Sequence, residues 1–212
     1  MIKDRVEAGQ LLAEQINSKK DNDFLVLAIP RGGVIVGNEI AKRLGCKLDI
    51  AISKKITPPD SPEFAIGAIT HDGTLFQSNY WDNYVEYPNL DDEIEKKKLE
   101  VKRRLEEYRG SSDYDIAGKS IILVDDGIAT GSTVFAILNW LVKQNVKEII
   151  LAVPVMPASV YELMRKKVSS IVVLRTPEDF AAVGQFYKNF DQVSDREVIE
   201  ILENYQKNDF KK

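Results

Sequence analysis

A doubly wound α/β fold around a mainly parallel sheet is the architecture this sequence predicts, and three observations predict it. Short runs rich in Val, Ile and Leu recur along the chain: FLVLAI (24–29), LDIAIS (48–53), IILV (121–124), EIILAVPV (148–155) and SIVVLR (170–175). Near-continuous apolar runs of this length suit strands buried on both faces. Segments with helical spacing separate most of them, and strand–helix alternation with such crossovers builds parallel sheets. Two of the runs end in glycine-bearing loops that open a helix, at 30–33 and 127–131. The carboxyl ends of strands are where open α/β sheets place ligands.

Each element follows in order. Residues 4–18 read as a packing helix with Ala8, Leu11, Leu12 and Ile16 on or near one face. Strand 24–29 runs into Pro30-Arg31-Gly32-Gly33, and VIVGNEIAKRLG then reads as a helix ended by Gly45. A dinucleotide loop needs GxGxxG, and glycines at 32, 33 and 37 have the wrong spacing. Strand 48–53 is expected to carry Lys54 and Lys55 at its carboxyl end. Pro58, Pro59 and Pro62 then argue for a loop able to close over a ligand. Residues 65–70 and 74–77 read as a hairpin around His71-Asp72-Gly73, with His71 a turn residue. Residues 91–109 form a charged helix with a seam of Ile94, Val101, Leu105 and Tyr108. Its pairs Asp92–Lys96, Glu93–Lys97 and Glu100–Arg104 have the acid-before-base order that supports a helix. That helix is either laid on the domain or a contact of a homodimer. A polar connection (109–119), a helix at about 132–144, a strand (148–155), a helix (157–167) and a last core strand (170–175) complete the repeat. The tail packs Phe180, Phe186, Tyr187 and Phe190 close together before a final helix from Asp195 to Tyr205. Aromatics there serve as core or as a platform for a planar base.

Length and composition narrow the function. The 212 residues suit one domain, 1–212, with a flap or insert at about 54–118 and a tail at 176–212 as hood elements. A net charge of −4 argues against a broad nucleic-acid surface. The single cysteine, Cys46, excludes a disulfide framework within the chain, and the single histidine leaves no material for a multi-His metal site. No apolar run approaches the ~20 residues of a membrane span. The opening MIKDRVEAGQLL lacks a signal-peptide core, so a cytoplasmic location is expected.

The chain is organised around IILVDDGIATGSTV (121–134). Gly127 and Gly131 let the backbone turn tightly and approach a ligand. The amides of Thr130, Gly131, Ser132 and Thr133 would be unpaired helix-start donors suited to a phosphate. Two carboxylates, Asp125 and Asp126, repel phosphate and need another partner. Sugar hydroxyls, or Mg²⁺ held directly or through water, supply one. The implied ligand is a ribose bearing a 5-phosphate. A P-loop is excluded because no Lys precedes Ser132 or Thr133.

This stretch closely resembles the signature of the type I phosphoribosyltransferases, which bind phosphoribosyl pyrophosphate (PRPP). Val124, Asp125, Asp126, Thr130, Gly131 and Ser132 match it. With PRGG, AIGA (65–68) and the PxxF…VG…Y…F…QVSD tail (177–195), nearly the whole chain is similar to a microbial group of that family. The resemblance implies Mg²⁺-dependent transfer of ribose 5-phosphate from PRPP to a nitrogen acceptor, a nucleobase by analogy, with release of pyrophosphate. It implies PRPP contacts from Pro30, Arg31, Gly32, Gly33, Lys55 and the loop Asp125, Asp126, Gly127, Ile128, Ala129, Thr130, Gly131, Ser132 and Thr133. Arg31, Lys54, Asp125 and Asp126 would be catalytic, and the two aspartates would also hold the metal. Phe180, Val183, Phe186 and Tyr187 would line the base site. Purine enzymes of the family often carry an Asp before Thr-Gly, where this chain has Ala129. The central loop therefore leans toward a pyrimidine or other nitrogen acceptor, while the tail leans toward purines. A non-catalytic PRPP sensor of the same fold is the alternative.

Overall fold

The computed structural model describes residues 1–16, 24–58, 61, 64–86 and 88–209. In chain order the first elements are α1 (Arg5–Gln15), β1 (Phe24–Ala28), α2 (Gly32–Leu44), β2 (Lys47–Ile50), β3 (Ser53–Ile56), β4 (Gly67–Thr70) and β5 (Leu75–Gln77). Then come α3 (Leu90–Arg109), β6 (Ser120–Val124), α4 (Ser132–Lys143), β7 (Glu148–Val155), α5 (Ala158–Met164), β8 (Ser170–Arg175) and α6 (Asp195–Asp209). They form two compact units. The larger holds Met1–Ala51, Ile116–Thr130 and Val146–Lys212, and the smaller holds Ile52–Asp115 and Gly131–Asn145.

The larger unit is a parallel sheet in the order β2-β1-β6-β7-β8. Counting only these strands along the chain gives 2-1-3-4-5, one of the common doubly wound orders. β6 lies at its centre, and Ile121, Ile122, Leu123 and Val124 are all 0% exposed. On one flank α1 approaches α2 closely because Gly9 has no side chain. A Cβ there would sit 2.6 Å from the Val36 carbonyl oxygen. The buried face of α1 is accordingly Ala8, Gly9, Leu12 and Ala13, whereas Leu11, expected on that face, points to solvent. Asp4 caps α1 by accepting the Glu7 amide at 2.9 Å. Gly45 closes α2 in the left-handed conformation, with φ 67°.

The smaller unit is an antiparallel sheet, β3-β4-β5, with α3 and α4 packed on it. α4 is buried through Val134, Phe135, Ala136, Ile137, Leu138, Trp140 and Leu141. The hairpin turn expected at 71–73 is held by Asp72, which accepts the Thr70 hydroxyl at 2.7 Å and the Thr74 amide at 2.9 Å. His71 sits in that turn, with its ring 5.3 Å from Trp140 and 5.2 Å from Tyr114.

Three sequence expectations are corrected. The single strand at 48–53 is two strands. β2 ends at Ile50 in the parallel sheet, and after Ala51 and Ile52 the chain joins the other sheet as β3. An apolar run reports burial but not which sheet a strand joins, so the break is invisible in the sequence. Lys54 and Lys55 consequently lie inside β3, opposite Ile69 and Ala68, rather than at the carboxyl end of a parallel strand. Glu100 pairs with Lys54 within the smaller unit. The helix expected at 157–167 spans only Ala158–Met164. Pro59 and Pro62 of the expected closing loop, and residues 17–18 of the first helix, lie outside the described residues. Among the described residues no helix is long and apolar enough to cross a membrane.

The central strand sets a stability test. Leu123→Ala should destabilise the protein by about 2–5 kcal/mol, because a cavity opens where the sheet is covered on both faces. Urea unfolding followed by tryptophan fluorescence measures it. A loss below about 1 kcal/mol would mean the site collapses around the smaller side chain.

Candidate active site

The order of strands in the larger sheet reverses between β1 and β6, its topological switch point. Both strands are parallel and in register, with Ala28 opposite Val124, so the loops that follow them start side by side. Ile29 donates its amide to the Val124 carbonyl at 2.8 Å and carries the pairing into the loops.

After β1 the chain passes through a cis Pro30–Arg31 peptide bond into α2, whose first residues are Gly32 and Gly33. A Cβ on Gly32 would collide with the Asp126 carboxylate. One on Gly33 would lie 2.9 Å from the Asp125 Cα and 3.0 Å from the Val124 carbonyl oxygen. The two motifs found separately in the sequence are thus packed backbone against carboxylate. The first amides of a helix have no partner within it, so the start of α2 brings donors and a positive dipole end to this place. Arg31, at the N-cap, faces Asp195 at 3.6 Å.

The acid pair is held from three sides. Asp125 Oδ1 accepts the Asp126 amide at 2.8 Å. Asp126 Oδ2 accepts Arg5 Nε at 2.7 Å, with the two side chains only 11% and 16% exposed. Tyr187 donates its hydroxyl to the Asp126 carbonyl at 2.7 Å. Arg5 also donates from Nη1 to the Asp191 carbonyl at 2.7 Å, and its guanidinium lies 3.9 Å over the Phe190 ring. Burial first, and the Asp126 charge second, hold the Asp125 carboxyl well above the usual aspartate range. The same order of causes pushes the Tyr187 phenol up. The sequence places Arg5 in a packing helix and gives it no role at the motif. Only the need of two adjacent buried carboxylates for a cation points toward it.

Beyond the pair the loop is tight. A Cβ on Gly127 would strike the Val183 side chain and come within 3.1 Å of Val155 Cγ1. Ile128 is buried and donates its amide to the Val155 carbonyl at 2.9 Å, while Ala129 and Thr130 are exposed. In the smaller unit Gly131 is the N-cap of α4 with φ 78°, and Ser132 and Thr133 are its first residues. Of the tail residues, Val183 packs at the Gly127 loop, and Phe180 and Phe186 lie 5.3 Å apart, both half-buried. Tyr187 is buried, its ring against Phe190 and its hydroxyl engaged by the motif. The larger unit therefore brings together Pro30–Gly33, Asp125–Thr130 and the tail. Lys54 and Lys55 belong to the smaller unit, Lys54 half-buried against Glu100 and Lys55 exposed.

The pair supplies hard anionic oxygens of the kind Mg²⁺ takes, but no cluster of three such ligands occurs among the described residues. Mg²⁺ is commonly bound by one or two carboxylates with substrate oxygens completing the shell. The donor set fits a metal held in that shared way.

Residues 2–190 match the family model described as phosphoribosyl transferase domain. The chain belongs to this family. The Mycobacterium tuberculosis protein named "Putative phosphoribosyl transferase Rv0571c" is 37% identical over 209 residues, which cover 96% of this chain and 46% of that protein. The chain thus spans about half the length of the curated relatives it matches. The crystal structure of TT1426 from Thermus thermophilus is 36% identical, superposes with a TM-score of 0.82, and the match covers 96% of this chain and 98% of that one. AQ2163 from Aquifex aeolicus, at 12% identity, TM-score 0.52 and coverage of 85% and 78%, shares the fold.

The raised Asp125 carboxyl gives a pH test. An acid whose value is raised by folding stabilises the fold fully below the ordinary aspartate value, about 3.9, and loses that contribution as pH rises through the raised value. Asn cannot ionise and can still accept the Asp126 amide. Asp125→Asn should therefore melt at a higher temperature than the parent at neutral pH without metal or ligand. The gap should close as pH falls toward about 4. A gap that does not change with pH would contradict the burial argument.

Proposed function

We propose that this phosphoribosyl transferase family chain transfers ribose 5-phosphate from PRPP to a nitrogen acceptor, with Mg²⁺ and release of pyrophosphate. The observation that carries the reading is the packing of Gly32 and Gly33 on Asp125 and Asp126 at the switch point. It supports one site for both the ribose and its leaving group.

In this reaction the C1–oxygen bond to pyrophosphate breaks and a C1–nitrogen bond forms. Positive charge builds on the ribose and negative charge on the departing diphosphate. No protein nucleophile is needed, and catalysis comes from positioning and preorganised charge. Asp125 and Asp126 accept the ribose hydroxyls and favour the cationic ring. The amides of residues 130–133 take the 5-phosphate. The start of α2 and Arg31 take the diphosphate, with Arg31 exchanging Asp195 for phosphate oxygens. Bound Mg²⁺ would screen the charge on the diphosphate. Phe180, Phe186 and Val183 form the wall for the acceptor, backed by Tyr187. Nucleobase acceptance rests on these aromatics.

Calorimetric titration of PRPP with and without Mg²⁺ tests the reading. Saturable, Mg²⁺-dependent binding is expected, and no binding by the folded protein with Mg²⁺ overturns it. Asp125→Asn with Asp126→Asn should weaken PRPP at least about a hundredfold, since hydrogen bonds to charged groups contribute about 1.5–3 kcal/mol each. Arg31→Ala should weaken PRPP more than ribose 5-phosphate, and equal losses would remove its leaving-group role. Pyrophosphate release across purine and pyrimidine bases separates an enzyme from a PRPP sensor.

A further inference from the structure

Arg5 reaches the acid pair from outside every motif in the chain. We propose that Arg5 is a positioning residue for the ribose site, fixing the Asp126 carboxylate in one orientation by holding its Oδ2. The inference rests on the ribose role proposed above for the acid pair.

Three contacts fix the guanidinium: Nε to Asp126 Oδ2 at 2.7 Å, Nη1 to the Asp191 carbonyl at 2.7 Å, and its plane 3.9 Å over Phe190. A planar fork can satisfy all three at once, and a lysine ammonium cannot. The helix that carries Arg5 is itself held in place. Gly9, one turn further along, seats α1 against the backbone of α2. Asp126 is gripped at its other end too, where the Tyr187 hydroxyl binds its carbonyl. Both backbone and side chain of one motif residue are thus tied to the tail segment 187–191. A simple bolt between α1 and the tail would need only the Asp191 and Phe190 contacts. The mostly buried Nε bond to a motif carboxylate is the part that bears on a ligand. Arg31, at the N-cap of α2, faces Asp195 instead.

The test compares three ligands by calorimetry in the presence of Mg²⁺: PRPP, ribose 5-phosphate and pyrophosphate. Arg5→Met should weaken both ribose ligands by about tenfold, the effect of one charge-assisted hydrogen bond. Pyrophosphate should change by less than about twofold. Arg5→Lys should recover only part of the loss. In an Asp126→Ala background, Arg5→Met should cost less than about twofold more, because no side-chain oxygen remains at 126 for Nε to hold. Equal losses for all three ligands, or full additivity with Asp126→Ala, would make Arg5 a structural residue and overturn the inference. Unchanged ribose affinity in Arg5→Met would do the same. If Arg5→Met does not fold, Arg5→Lys carries the same ligand comparison and the same cycle. A parent protein that binds neither ribose ligand removes the ribose reading itself, and this inference with it.

Discussion

Between Gly32 and the Asp126 carboxylate, and between Gly33 and the backbone of Val124-Asp125, there is no space for one methyl group. The site depends on that contact. Strands β1 and β6 are adjacent and in register, so their loops emerge together, but adjacency alone would leave a side chain's width between them. Removing the Cβ at two successive positions lets the first turn of α2 lie directly on the acid pair. Helix-start amides and carboxylates, which attract opposite kinds of ligand group, then share one locus. The proposed ligand, PRPP, carries groups of both kinds.

That closeness has an electrostatic consequence. Two neighbouring carboxylates in a mostly buried place destabilise the ligand-free fold, and the rise of the Asp125 carboxyl expresses this. Arg5 and the Asp126 amide offset part of it. Such a cost in stability is a common feature of active sites. Here the stabilising cation comes from the first helix and the hydroxyl from the tail, so the two ends of the domain both support its central motif.

Much of this is legible in the chain. The buried strands of the parallel sheet show as Val, Ile and Leu runs because both faces are covered, and the hairpin shows in its His-Asp-Gly turn. The acid pair and PRGG show because their chemistry is local and contiguous. What stays hidden depends on contacts between distant segments. Arg5 lies 121 positions from Asp126, and nothing in the spacing of α1 distinguishes it from a solvated arginine. The division of 48–53 between two sheets is hidden because burial looks the same in either. Tyr187 reads as a stacking aromatic, and its hydroxyl bond to the motif backbone cannot be seen without the fold.

Val183 occupies the volume in which residue 127 would carry a side chain. The bulk at 183, 56 positions further on in sequence, is therefore accommodated by the absence of a side chain at 127. A library randomised at 127 alone would return glycine, and with φ 157° and Val155 Cγ1 at 3.1 Å a smaller residue at 183 would not by itself admit a side chain there. Sequence drift in the tail at 183 is bounded from beneath by the loop it rests on, and a change of shape there would have to proceed by subtraction of atoms.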